Sequence, residues 1–455
     1  MIKKVVVRRL VRGLVALPLV LGLGQQAARA ELNAVDPGAY VVANGFFPAW
    51  YQDTNGIGLD LCLSSANIAA GAVPGGVGGA ACTLLANPGI FDPALPLAFP
   101  TNFPDESFWF MADSVFTANG VNVTYVSNLE AAFGGGAPAA NDQIAFARIR
   151  IRITLPGTAP GGNYTVTHPY GVDVFSVAPG GGIKVINATR DIGVAPGIFT
   201  GALKGDIGPF LRDASLAPGV YIPSSVPGEF YIGDPNTPRP VTGSPFGTNF
   251  VRVDGPAGFT SIQNDQFTVM GKVHAGVLAT PLVIERTSYG RATDPVTLAT
   301  TAQQDVFVKA PPSTSTTVNG FDANSAPVTV TDTDANGAWY GQTASDPTGT
   351  ARIVSVTTAP KTGSNASTTS PSDLVDVVTI GRAQYSRATG TLTVEAASSD
   401  EVTPPALTVN GQTLSPTGVG VVQGVTLTGF TIPPATVTVT SANGGSDTEP
   451  VVILP

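Results

Sequence analysis

The sequence holds only two histidines in 455 residues, His168 and His274, so any proton-transfer or zinc chemistry has to be built around them. They read HPYGV and HAGVL, and neither sits in an HExxH pattern. Two histidines alone would leave a zinc ion dependent on carboxylates, an uncommon ligand set for catalysis. The stretch TVTHPYGVDVF (165–175) puts Tyr170 and Asp173 beside His168, either as a reactive cluster or as the end of a strand. No GxSxG elbow or P-loop accompanies them, and the glycine run GGVGGA precedes no helix that could cradle a phosphate. Glycoside chemistry needs only two suitably spaced acids. Asp105 and Glu106 adjoin Phe108, Trp109 and Phe110, and Trp50 offers a second aromatic platform. The competing reading makes FPDESFWFM a turn and a core-entering strand, with Phe108 and Phe110 on one face and Trp109 on the other. DTDANG (332–337) begins like a calcium loop at Asp332, Asp334 and Asn336. Its twelfth position is Thr343 and no helices flank it, so an Asn-Gly hairpin explains it better. A structural calcium between modules is the one cofactor left open.

These residues must be positioned by strands. Gly and Pro number 53 and 39, and short runs rich in Val, Ile, Thr and aromatics alternate with turn residues. Examples are VNVTYV (121–126), NYTVTH (163–168) and DQFTVMGKV (265–273). The pattern predicts an all-β, multi-domain chain of antiparallel sandwiches. In IRIRITL (149–155), Ile149, Ile151, Ile153 and Leu155 face one way while Arg148, Arg150 and Arg152 face the other. The arginine face is either a platform for anions or a solvated face balanced by acids. Leu155-Pro156-Gly157 followed by Tyr164 resembles the E–F corner of fibronectin type III sandwiches, which implies that the Tyr164 hydroxyl bonds back to the preceding loop. That corner sets the parity of the next strand, with Tyr164, Val166 and His168 on the core side. His168 then reads as a cap for loop carbonyls more readily than as a catalyst.

The first 30 residues have a basic start, an apolar stretch from Leu14 to Leu23 and Ala28-Arg29-Ala30, the layout of a secretory signal. Without them 17 Lys and Arg face 32 Asp and Glu, a net charge near −15. Such a chain repels phosphate backbones, so no nucleic-acid partner is expected. No transmembrane segment is expected in the mature chain either. Cys62 and Cys82 are an even pair in an exported chain and should form a disulfide around NIAAGAVPGGVGGAA (67–81), which has few side chains to hold it.

The chain also repeats. IERTSYGRATDPVTLAT (284–300) and IGRAQYSRATGTLTVEA (380–396) share seven identities without a gap, at an offset of 96. In that register Val296 and Leu298 match Leu392 and Val394. The expected divisions are a signal (1–30), an N-terminal sandwich with the disulfide loop (31–198), a second β-rich part (199–278), a module (279–358), a linker (359–374) and a second module (375–455). The modules resemble the immunoglobulin-like and fibronectin-type repeats of secreted bacterial proteins. FFPAWYQDTNGIGLDLCL, FPDESFWF, TVTHPYGVDVF and TGSPFGTNFVRV are similar to segments of a secreted bacterial family that often carries such modules C-terminally. The resemblance spans 36 to about 275 and implies no particular activity. The favoured expectation is a non-enzymatic secreted or surface structural or binding protein, adhesin-like or of the extracellular matrix. Its partner would be an extracellular polysaccharide or another surface protein. The alternative is a carbohydrate-binding or carbohydrate-active protein using Trp50, Asp105, Glu106 and Trp109. A hydrolase built on His168 or His274 with a nearby serine is the third reading.

Overall fold

In the computed structural model the described residues are 30–294, 296–321, 327–333, 337–347, 353–361, 363 and 365–455. The export signal therefore lies outside the described residues, as do Asp334 and Asn336 of the candidate calcium loop. The chain is all-β, as the turn-punctuated alternation predicts, with two short 3-10 helices at Val42–Asn44 and Phe199–Lys204.

The N-terminal head is built from three main sheets. The seven-stranded sheet runs in the order Gly182–Ile192, Gln143–Leu155, Val121–Phe133, Glu106–Ala118, Gln266–Met270, Arg239–Thr242 and Arg212–Asp213. Glu106–Ala118, Val121–Phe133 and Gln143–Leu155 form a meander that Gly182–Ile192 extends; its inner face carries Ile149, Ile151, Ile153 and Leu155, all buried, while the three arginines lie on the other face. A four-stranded sheet, Gly171–Val177, Gly162–His168, Val251–Asp254 and Ile262–Asn264, supplies Tyr164, Val166, Val251 and Val253 to the same core. The third sheet is six-stranded: Leu32–Val35, Trp50–Asp53, Gly58–Asp60, Lys272–Val273, Phe230–Tyr231 and Ile222–Pro223. Residues 199–278 thus complete sheets begun by the first 198 and share their core, so the two parts are one unit. The chain passes from the seven-stranded to the six-stranded sheet at Gly271. A Cβ there would come within 2.8 Å of both Leu59 and Ile232, which excludes any larger residue without repacking.

Each of the following modules has a five-stranded and a four-stranded sheet with the same strand order. The first spans Val283–Thr293 to Val375–Asp376 and the second Val378–Ser386 to Val452–Leu454, and each closes with a strand parallel to its own first strand. The stretch expected as a linker, 359–374, is not one. Thr368–Asp373 is an edge strand paired with Ile353–Pro360, Leu374 is in the core, and Val375–Asp376 completes the five-stranded sheet. Alternating Thr and Ser side chains satisfy an edge strand as well as apolar ones when one face meets solvent, which is why composition alone misread it.

The repeat is also sharper than the sequence implied. Both first strands carry a register shift at equivalent places, Ile284/Arg286 and Ile380/Arg382. Downstream the equivalence changes, because Tyr289 pairs with Gln304 whereas Tyr385 pairs with Leu392. The second strands are therefore offset by 88 rather than 96, and the first module's hairpin is eight residues longer. Val296 and Leu298 sit in its tip, 87% and 76% exposed, while Leu392 and Val394 are core residues.

Candidate functional site

His168 is fully buried. Its Nδ1 accepts from the Tyr170 amide at 3.3 Å and lies 3.1 Å from the Tyr125 hydroxyl, so the proton belongs on Nε2, 3.2 Å from Asp173 Oδ2. The relay continues from Arg190 Nη1 to Asp173 Oδ1 at 2.6 Å and from Arg190 Nε to Asp206 Oδ2 at 3.0 Å. The His168 bond, helped by Arg190, holds the Asp173 carboxyl below the usual carboxylate range. TVTHPYGVDVF does bring His168, Tyr170 and Asp173 together, but around an imidazole that no substrate can reach and whose partners are an amide, a hydroxyl and a carboxylate rather than the loop carbonyls expected. Tyr164 donates to the Pro160 carbonyl at 2.8 Å, the corner its position implied.

Trp109 is fully buried too, donating from Nε1 to the Pro48 carbonyl at 3.2 Å and meeting Tyr51 edge-on at 4.8 Å. The expected parity is overturned by a bulge: Phe108 faces Glu130, but Phe110 faces Leu129. The extra residue turns Trp109 and Phe110 into the main core, while Phe108 packs with the disulfide loop. No sugar can stack on Trp109, which removes it from a cleft with Asp105 and Glu106. Asp105 is occupied by the Asn87 amide at 2.8 Å, and Glu106 is exposed at the start of its strand. The Cys62–Cys82 disulfide is present, and Ile68, Val73 and Ala81 from its loop pack with Phe108, Tyr231 and Met270.

Trp50 is half-buried on the six-stranded sheet, directly across from Asp60 and 5.9 Å from the His274 ring. His274 Nδ1 is 2.6 Å from Asp60 Oδ1. Lys272, next in the same row, reaches Glu229 at 2.6 Å, and Glu229 also accepts from Ser64 and Tyr231. Asp60, Glu229 and Lys272 carry no local signal, since His274 is 214 residues from Asp60, Ser64 is 165 from Glu229 and Lys272 is 43 from it, and the fold alone joins them. Asp332 lies in a two-residue edge strand. Among the described residues no three His, Cys, Asp or Glu side chains are grouped to hold a metal ion.

The outer face of the long strands carries a row of charged side chains. At one end Glu130, Arg148 and Asp191 form a paired cluster. Arg148 Nη1 is 2.8 Å from Glu130, and its Nε and Nη2 take both Asp191 oxygens at 2.7 and 2.8 Å. Asn128, with its amide nitrogen toward Asp113, donates to Oδ1 at 3.0 Å and to the Ser127 carbonyl at 2.9 Å. Burial, aided by the Glu130 charge, pushes the Asp113 carboxyl up to about 7. Burial likewise raises Glu130 to about 7 against the pull of Arg148. One strand position further the pattern changes. Arg150 and Arg152 face Thr189 and Asn187 across the strand pair, at 3.4 and 3.3 Å, and no carboxylate lies within ion-pair distance of either among the described residues. Arg150 is lowered by burial and by repulsion from Arg148 and Arg152.

No protein-family model matches this chain, and no curated protein does. One solved structure, from an Antarctic bacterium and described as a "Ca2+-stabilized adhesin" that helps it "reach out and bind ice", aligns at 12% identity over 77% of this chain and 91% of its own, with a TM-score of 0.18. That likeness is too slight to carry an argument. Among the described residues no helix is long and apolar enough to cross a membrane.

Proposed function

We propose that this is an extracellular or cell-surface binding protein, adhesin-like, in which two immunoglobulin-like modules carry the three-sheet head. The single observation that supports it best is the clasp between the modules. Arg291, on the first module's extended hairpin, grips Asp400 of the second with Nε and Nη2 at 3.1 and 2.7 Å, and Tyr289 adds its hydroxyl at 3.2 Å. Backbone bonds run beside it in both directions, Arg291 amide to Ser399 carbonyl and Glu401 amide to Arg291 carbonyl, each 2.8 Å. The head joins the first module similarly, through Gln52 to the Ala279 carbonyl at 3.0 Å and Asn365 to the Gly56 carbonyl at 2.9 Å. Units fixed in series hold the head at a defined distance, which a flexible joint would leave variable. The basic-apolar-small leader and the disulfide fit an oxidising destination.

Two measurements test the reading. Expression in a bacterial host followed by mass spectrometry should find the chain outside the cytoplasm with Glu31 at its N-terminus. A chain retained inside with its leader intact would overturn export. Small-angle scattering should give one narrow distance distribution for the full mature chain, broadened by Asp400→Ala; a broad, flexible profile in the wild type would remove the carrier role.

A further inference from the structure

Arg148, Arg150 and Arg152 occupy successive outward positions on one strand, roughly 7 Å apart. Arg148 shows what this row does with a carboxylate: it binds Asp191 side-on, two oxygens to two nitrogens, from the directly paired position on the next strand. At Arg150 and Arg152 the paired positions hold Thr189 and Asn187 instead, each touching the guanidinium at the long end of hydrogen bonding. Lys184 adds a third cation at this end, its amide bonded to Thr154 Oγ1 at 2.9 Å and its side chain exposed. None of the three has a carboxylate within 4.0 Å among the described residues, in a chain with 32 acidic residues and only 23 basic ones. Asp113, Glu130 and Asp191 act on Arg150 at longer range, but without a direct ion pair this end of the row keeps guanidinium N–H groups for an outside acceptor.

We propose that this end of the meander face binds a carboxylate-bearing polysaccharide, a uronate polymer, with Arg150 and Arg152 each taking a carboxylate as Arg148 takes Asp191. The inference rests on the binding-protein reading above and supplies its ligand class. Thr189 and Asn187 beside the guanidiniums offer donors and acceptors to sugar hydroxyls, which an acidic peptide would leave largely unused. Arg150 and Arg152 follow one another along a strand, a spacing suited to an extended chain lying along it. The chain's net negative charge opposes any polyanion, so the local arginine row rather than long-range attraction has to carry the binding.

The test is affinity electrophoresis of the mature full chain through gels containing polygalacturonate, neutral dextran or poly-glutamate. Polygalacturonate should retard the wild type, and the Arg150→Gln/Arg152→Gln variant should bind about ten-fold more weakly, because two charge-assisted bidentate contacts are lost. Lys184→Gln should weaken it less, and about 0.5 M salt should abolish most of the difference by screening. Unchanged thermal unfolding certifies the fold, and Arg152→Gln alone is the fallback if the double variant is unstable. Equal retardation of wild type and double variant, equal retardation by neutral dextran, or no retardation would overturn the proposal. Stronger binding of poly-glutamate would assign an acidic protein partner and overturn it too, as would arginine-dependent self-association in sedimentation. Each of these failures leaves the export and scattering results untouched, so the ligand class and the carrier role fall separately.

Discussion

Asp113 is a largely buried carboxylic acid on the arginine side of the long sheet that desolvation and the nearby Glu130 keep partly protonated near neutral pH, and this fixes the sign of its contribution to stability. Its folded pKa of about 7 lies above the ordinary 3.8. Between about 4 and about 7 the native chain therefore holds more protons than the unfolded chain, and stability falls as pH rises through that window. Asp113→Asn cannot ionise and keeps the amide-to-amide pairing with Asn128 possible. The variant should exceed the wild type by about 1–2 kcal/mol at pH 8 and match it near pH 4. Urea unfolding at both pH values checks this, and a gap of the same size at each would show that ionisation is not the cause. His168 makes the opposite point. Its imidazole satisfies Tyr125, the Tyr170 amide and Asp173 at once, so His168→Ala leaves several buried groups unpaired. The cost should be about 2–4 kcal/mol, read as a lowered urea midpoint. A neutral result would mean that water replaces the ring.

The disulfide loop is an element with little of its own to hold it. Between Cys62 and Cys82 only Ile68, Val73 and a few alanines reach the cluster around Phe108, Tyr231 and Met270. Cys62→Ser/Cys82→Ser should cost about 3 kcal/mol in the chain-entropy picture and make 67–81 the first site of proteolysis. If limited digestion still begins elsewhere, side-chain packing alone suffices. How far such elements could be read from the sequence depended on what sets them. The parity of 149–155 was legible because the Ile and Arg alternation is strict, and Tyr164 then placed His168 inward. Trp109 was misplaced because a bulge leaves no mark in a run of aromatics, and one extra residue reverses every side chain beyond it. The 359–374 stretch was misread because Ser and Thr suit an edge strand and a linker alike. The contrast along the arginine row was invisible, since Asp191, Thr189 and Asn187 become its partners only through the register with Gly182–Ile192.

At the scale of the whole molecule, the two modules differ most where they meet. The first hairpin's extra eight residues carry Arg291 out to the second module, whereas the equivalent Arg387 falls in a short turn and is exposed. Asp400 is wholly buried at the junction, and Asn443 donates to the Tyr289 hydroxyl at 2.8 Å behind it. A buried pair of this kind need not add much stability, because desolvation offsets most of the attraction, but breaking it strands a charge. Arg291→Met and Asp400→Leu should therefore each cost about 3–5 kcal/mol at the junction, while the double variant recovers most of that loss. Scattering should separate the roles: the double variant regains its melting temperature but keeps the broadened distance distribution, since apolar groups restore burial without the bidentate geometry. If instead the double variant is both stable and narrow in its distribution, the flanking bonds at Ser399 and Glu401 hold the modules in line. The Arg291–Asp400 pair would then be a passenger at the joint.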